Sequence, residues 1–402
     1  MSKRLVSIMM VSLMSMISQS AFAETVPQYL QNIPGPSLAS QNANKLSTFV
    51  SRYEEAVRHP WQRIPENIVL KPGMHGHYIV LLRERLAATE DLPGFEPQSS
   101  DTYDVALKMA VENYQQRMGL NPDGVVGHDT LVELNVPPDV RLKQILINEK
   151  RWAELMPKLP SRFIIVNIPD FRLYAYENGQ TLFNIKTIVG RPTRQTPEIS
   201  SEITRLVFNP YWNVPNLIAQ KDIVPKVLDD PGYLTDMHIR ILNRQEDDAT
   251  EIPESAIDWE QVADNGFPYH FRQDPGIDNA LGLVKFEFAN SNNIYLHDTP
   301  AKTLFAVNKR LFSSGCIRLE NPFALVAWLM EPDPKWNEDK MQKLIDAGKT
   351  VYVKAAKPTP IFIMYLTAWV DDRGALNFRD DVYGQDQPSD TLSQSDATED
   401  ST

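Results

Sequence analysis

The chain has 402 residues, 42% hydrophobic content and a formal net charge of −12 from 52 acidic and 40 basic side chains. An acid excess of this size, with no long basic run, argues against nucleic acid as a partner, and the length predicts two or three domains. Cys316 is the only cysteine, so a disulfide within the chain is excluded.

Residues 1–23 read as a secretory signal: Lys3 and Arg4 precede an apolar run over 5–17, and the run closes on Ala21, Phe22 and Ala23. The run is short for a membrane span, and no later stretch reaches ~20 apolar residues, so the mature chain is expected outside the cytoplasm with no transmembrane segment. Cysteines there usually pair. Unpaired, Cys316 reads by default as a small buried hydrophobe.

Residues 24–63 form a helical scaffold segment, with Leu46, Phe49, Val50, Tyr53 and Val57 at helical spacing over 42–59. A compact three-helix module is expected over 64–137. One of its helices presents Ile79, Leu82 and Leu86, a second Ala106, Met109, Ala110 and Tyr114, and a third starts near Asp129. The turn NPDGVVG between them places Gly124 and Gly127 where a positive backbone angle is useful. A helical connector fills 138–161.

From residue 162 the pattern becomes that of strands: 163–168, 171–177 and 181–189 are rich in β-branched and aromatic residues and are joined by PD and NG turns. A fourth strand is expected in ITRLVFNPYWNVP (203–215) and further strands at 281–288 and 293–297, with at least two more near the end of a domain running to 383. Between about 215 and 276 the strand pattern lapses into a largely helical insertion, a length that in a compact domain points to function, such as a lid. Residues 384–402 are polar and acidic and are expected to be a disordered tail.

The helical module resembles the peptidoglycan-binding domain type 1 family in its LLRERL, AVENYQ and GLNPDGVVGHDT segments. That resemblance implies binding of glycan or peptidoglycan through 64–137.

Cys316 sits in the unit NIYLHDTPAKTLFAVNKRLFSSGCIRLENP. Thiol catalysis needs a thiolate, a base or cation to maintain it, oxyanion donors and a substrate grip. Here His297 ends a strand and is the candidate base, with Asp298 orienting it. A helix of about three turns from Pro300, burying Leu304, Val307 and Leu311, is expected to bring the two ends together. Gly315 permits the sharp turn at Cys316, and the backbone of Ser314, Gly315 and Cys316 supplies candidate oxyanion donors. Arg318 is positioned to stabilise a thiolate and to grip a carboxylate. Tyr211, Trp212 and Tyr295 are candidate aromatic walls, and His270 is a secondary candidate base. Each residue alone has an ordinary reading: a structural histidine, a surface arginine, core aromatics.

As a unit the segment resembles the YkuD-type L,D-transpeptidase catalytic domain over about 162–354. With FNPYWNVP, PGIDNALGLVKFEF and YLHDTPAK it is similar to the large periplasmic subgroup typified by YcbB. Smaller members carry a second histidine two residues before the cysteine, where this chain has Ser314. The resemblance implies an α+β fold: a mostly β catalytic domain, sandwich-like, with a helical insertion and the three-helix module. It implies a periplasmic enzyme that releases D-Ala from a stem tetrapeptide, forms a thioester on Cys316 and joins one diaminopimelate to another, with no metal and no cofactor. The alternatives are an L,D-carboxypeptidase or endopeptidase, and a non-catalytic wall-binding protein.

Overall fold

The computed structural model describes residues 36, 45–92, 100–246 and 248–387. The expected signal and the tail beyond residue 387 lie outside them.

Five helices open the described chain: α1 (Ser47–Val57), α2 (His77–Ala88), α3 (Val105–Arg117), α4 (His128–Leu134) and α5 (Pro138–Leu155). In α1, Leu46 and Tyr53 are buried while Val57, expected on the same stripe, is exposed. Helix α2 buries Ile79, Leu82 and Leu86 as expected. Asp104 caps α3, its side chain accepting the Leu107 amide at 2.8 Å. The buried stripe of α3 is Leu107, Ala110, Val111 and Tyr114, so Ala106 and Met109 face water instead. The alanine and methionine belonged to the neighbouring row of the same helix, which spacing alone does not separate from the true one.

Fourteen strands follow: β1 (Arg162–Asn167), β2 (Arg172–Glu177), β3 (Gln180–Gly190), β4 (Ile199–Phe208), β5 (Trp212–Asn213), β6 (Ile239–Leu242), β7 (His270–Gln273), β8 (Val284–Phe288), β9 (Leu296–His297), β10 (Leu311–Ser313), β11 (Ile317–Leu319), β12 (Val351–Met364), β13 (Ala368–Val370) and β14 (Leu376–Phe378). The main sheet runs β10-β3-β11-β9-β8-β4-β12-β1-β2, and a further β2–β3 pairing joins its ends. The layers of the expected sandwich are thus continuous, because the long β3 pairs with β2 through its first half and with β11 near its last residues. Strand β12 is one element where two were expected; it survives Pro358 and Pro360 through a register shift between Lys354 and Thr359.

Strand β1 is buried on both faces, which explains its unbroken apolar run. Ile164 and Val166 face the core enclosed by the sheet, while Phe163 and Ile165 join a second core shared with α1–α5 and the β13–β14 hairpin. The helical module is therefore seated on the sheet through a common apolar layer. Arg379 pins the junction: its guanidinium donates to the buried Asp170 carboxylate at 2.6 Å and to the Arg117 carbonyl at 2.8 Å. Gly119 lies against it with φ of 73°, and a β-carbon there would come within 2.6 Å of Arg379 Nε.

Two expectations are corrected. The 215–276 insertion is not simply helical: short helices at Val224–Asp229, Tyr233–Asp236 and Trp259–Asn265 pack on its own three-stranded sheet, β5-β7-β6. Their core includes Val227, Leu234, Ile241 and Phe271. The strands were hidden because each is only two to four residues long, too short for alternation to register. The start of the expected tail is also ordered, since Asp386 accepts from Arg151 at 2.7 Å and from the Thr367 hydroxyl at 2.7 Å.

Replacing Arg379 with alanine removes the ion-pair partner of the buried Asp170 carboxylate and leaves the Tyr174 hydroxyl as its side-chain hydrogen-bond donor among the described residues. The expected loss is roughly 3–5 kcal/mol of stability, read by urea unfolding; a loss below ~1 kcal/mol contradicts the junction's role.

Candidate active site

His297 ends β9 and is buried; Cys316 lies just before β11. The two strands pair in parallel, Ile317 opposite Leu296 and Arg318 opposite His297. On the other side of β9, Lys285 is opposite His297. Partners across a ladder share a face, as do residues two apart along a strand. Arg318, His297, Lys285 and Tyr295 therefore stand on one face, and Cys316 belongs with them: its thiol interacts with the Tyr295 side chain and with the charges of Lys285 and Arg318.

What closes the gap between residues 297 and 316 is this pairing. The expected three-turn helix is absent; in its place is a single five-residue 3₁₀ turn, Lys302–Ala306, in which Phe305 is buried and Val307 is exposed. Lys302 opens this turn, and its ammonium is held by the Asp298 carboxylate at 2.7 Å and the Glu320 carbonyl at 2.7 Å. Arg310 is buried and donates to the carbonyls of Val307, Thr187 and Phe171 at 2.7, 3.0 and 3.0 Å. An arginine staple of this kind gives no periodic signal in a sequence.

Asp298 holds the imidazole through its carbonyl, which accepts His297 Nδ1–H at 2.5 Å. That bond fixes the proton on Nδ1 and leaves Nε2 as the lone-pair nitrogen. The Asp298 carboxylate is engaged elsewhere, by the Leu283 amide at 2.9 Å and by Lys302. The thiol donates to the Asn293 carbonyl at 3.8 Å and is also hydrogen-bonded to the Tyr295 backbone and hydroxyl, and no hydrogen bond among the described residues joins it to His297. By ladder spacing, the Cα atoms of Cys316 and His297 are roughly 8 Å apart on the diagonal of two adjacent strands. Asn293 has φ of 55°, which directs its carbonyl inward.

The loop before Cys316 is clamped. Gly315 has φ of 118°, and a β-carbon there would lie 3.2 Å from the Ile294 side chain. Its carbonyl accepts the Thr196 hydroxyl at 2.7 Å. Its amide donates to Ser313 Oγ at 3.1 Å, so it is committed within the loop; none of the described hydrogen bonds uses the Cys316 amide. The Ser314 hydroxyl accepts from Arg194 at 3.0 Å, and Arg194 also pairs with Asp222 of the insertion.

The aromatics separate. Tyr295 has its hydroxyl between Cys316 and Trp212, and burial first, then the Cys316 charge, holds its pKa well above the usual phenol value. The Lys285 ammonium lies 4.1 Å from the Tyr295 ring centroid. Tyr211 is instead exposed beneath the Arg272 guanidinium, 5.1 Å from its ring, and His270 sits in β7 beside Gln245. Lys285, Asn293, Thr196 and Arg194 were not singled out from the sequence. Only Lys285 left a signal there: in VKFEF the alternation puts Lys285 and Glu287 on the face opposite the buried Val284, Phe286 and Phe288.

Burial lowers the His297 pKa to about 3, reinforced by the positive charges of Arg318, Lys285 and Lys302. Burial also raises the Cys316 thiol, against the opposing pull of Tyr295, Lys285 and Arg318. The resting pair is a neutral thiol and a neutral imidazole, where the sequence suggested a ready thiolate and imidazolium. Arg318 itself is pushed down by burial and by Arg191, and its Nε is buried without a partner.

Residues 161–353 match the family described as the YkuD L,D-transpeptidase catalytic domain, and residues 76–134 match the one described as "Putative peptidoglycan binding domain". A Haemophilus influenzae protein named "Putative L,D-transpeptidase" is 37% identical over 224 residues, which are 56% of this chain and 44% of that protein. The chain thus spans under half the length of this curated relative. Among solved structures, an L,D-transpeptidase from Xylanimonas cellulosilytica aligns at 15% identity over 75% of this chain and all of that one, with a TM-score of 0.24. One from Stackebrandtia nassauensis aligns at 11% identity over 75% and 97%, with a TM-score of 0.26. The matches and the fold define a chain of mixed α+β architecture. The chain carries a YkuD-family L,D-transpeptidase catalytic domain joined to a peptidoglycan-binding module.

The depressed His297 value fixes a pH dependence. Below pH ~6.5 the unfolded chain protonates this histidine while the folded chain does so only near 3, so the unfolded state binds more protons and stability falls as pH drops through that window. The slope from this group is about 1.4 kcal/mol per pH unit at most. Urea midpoints between pH 7 and 4 should drop less steeply for His297→Gln than for the wild type; equal slopes refute the buried neutral imidazole.

Proposed function

We propose that the protein is a periplasmic L,D-transpeptidase of the large subgroup, working through a Cys316 acyl-enzyme. The observation that carries the reading is the His297 tautomer: Nδ1–H is held by the Asp298 carbonyl, and the free Nε2 lies on the sheet face that bears the thiol. A change of the Cys316 rotamer from the Asn293 carbonyl toward His297 prepares attack.

Nε2 takes the thiol proton as sulfur attacks the carbonyl of the bond joining diaminopimelate to the terminal D-Ala. The oxyanion is received by the Cys316 amide. The C–N bond then breaks, the imidazolium protonates the departing amine, and a thioester remains. The side-chain amine of a second stem attacks the thioester, loses its proton to Nε2, and the C–S bond breaks to return the thiol. Arg318, half-buried and without an acidic partner among the described residues, suits the carboxylate of the leaving D-Ala.

Water competes for the thioester, and the insertion is placed to limit it. Trp212, on its first strand, reaches the Tyr295 hydroxyl, and Asp222 is tied to the cysteine loop through Arg194. The module over 64–137 is proposed to hold the enzyme on peptidoglycan. No helix among the described residues is long and apolar enough to cross a membrane.

Intact-mass measurement after incubation with a tetrapeptide donor or a carbapenem tests the nucleophile. The wild type should gain the acyl mass, Cys316→Ala should gain none, and His297→Ala should acylate roughly 10²–10⁴-fold more slowly. Acylation of Cys316→Ala sinks the assignment. With acceptor present, a cross-linked dimer supports transpeptidation, whereas free tripeptide alone identifies a carboxypeptidase.

A further inference from the structure

The sheet face that bears Cys316 continues well past the thiol. Beyond His297 the register runs Lys285, then Val207 on β4, then Tyr352 on β12. One pleat along, Tyr295 falls beside Glu287, Glu287 is opposite Arg205, and Arg205 is opposite Lys354. The opposite face of the same strands is core, carrying Leu206 and Phe286. Of these rows Tyr295, Lys285, Glu287, Arg205, Tyr352 and Lys354 line an open groove of about 680 Å³ that begins at Asn293 and Tyr295, the two residues that touch the thiol.

The groove carries three cations, Arg205, Lys285 and Lys354, against one carboxylate, Glu287. Glu287 is shared between Lys285 at 2.9 Å and Arg205 at 2.5 Å, so it offsets only one of them. In a chain whose net charge is −12, a local positive excess beside the nucleophile is not background. Lys354 has no acidic partner among the described ion pairs, and the exposed Tyr352 ring lies beneath Arg205, 5.1 Å from the guanidinium. From Cys316 to Lys354 the sheet advances four strands, about 19 Å, the length of five or six extended residues.

We propose that this groove is the subsite for the acyl donor's peptide, and that it selects peptides bearing free carboxylates on the acyl side of the scissile bond. The inference rests on the acyl-enzyme reading above. With the leaving group's carboxylate at Arg318 and the scissile carbonyl at Cys316, the retained peptide runs outward over β9 and β8. Its carboxylates then meet Arg205 and Lys354, while Tyr352 provides an apolar floor. Glu287 spaces the cations and prevents them from repelling one another.

The test compares two donor peptides, both ending in D-Ala with a free terminal carboxylate, one with carboxylates and one with carboxamides on the acyl side. D-Ala release by the full chain should favour the acidic peptide by about ten-fold in kcat/KM, chiefly through KM, and the preference should shrink with salt. In the Arg205→Ala/Lys354→Ala double variant it should fall below about three-fold, whereas Arg205→Lys/Lys354→Arg should keep most of it. Should the alanine variant unfold, Lys354→Glu alone should reverse the preference. Equal turnover of both peptides by the wild type, or a preference undiminished in the variants, overturns the groove while leaving the nucleophile intact. Failure of both peptides to acylate the wild type overturns the groove and the nucleophile alike.

Discussion

The pairing of β11 with β9 is the constraint on which the active face depends. Two strands of two and three residues have little stability of their own. Here they are interior members of a nine-stranded sheet, flanked by β3 and β8, so their register is imposed by neighbours rather than by their own sequence. A slip of one residue would send Arg318 into the core and Ile317 into the cleft. The face is protected against such a slip because Ile317 and Leu319 are fully buried, and their burial sets which side chains point outward.

Rigidity around that pairing comes from buried guanidinium groups in a chain that has no disulfide to use. Arg310 gathers four backbone carbonyls beneath the segment 298–316. Arg379 joins the helical module to the sheet, and Arg117 bridges Asp91 and the Leu376 carbonyl at the same junction. Five planar donors let one side chain satisfy several buried acceptors that would otherwise remain unpaired. The consequence is a helical module seated at a set position relative to the main sheet, through a shared core that includes Phe163, Tyr176 and Trp369.

Much of the fold was legible because its signals are local. The β-branched and aromatic runs at 163–168, 171–177 and 181–189 and the apolar stripe of α2 each lie within a dozen residues, and the structure places strands and helix there. His297, Cys316 and Arg318 were legible as a set because their residue types suit one chemistry and their spacing suits one strand face. What stayed hidden depends on partners distant in sequence. Around the 3₁₀ turn that stands where a helix was expected, Lys302 answers to Glu320 and Arg310 to Phe171. Lys285 and Thr196 reach the cysteine only through sheet pairing and loop closure. Tyr211, sequence neighbour of Trp212, turns away because Arg272 of β7 covers its ring.

The electrostatics of the face raise a difficulty that the substrate itself resolves on the proposed reading. A buried imidazole held near 3 and a thiol held above its ordinary value exchange a proton only at considerable cost. After burial, the largest influence depressing His297 is the charge of Arg318, whose Nε lacks a partner. A carboxylate bound to Arg318 cancels that charge next to the imidazole and raises its basicity. Lys285, on the other flank, remains to stabilise the sulfur anion. The base is thus strengthened by the ligand whose scissile bond it is to attack, and the unliganded enzyme keeps its thiol protonated and less reactive.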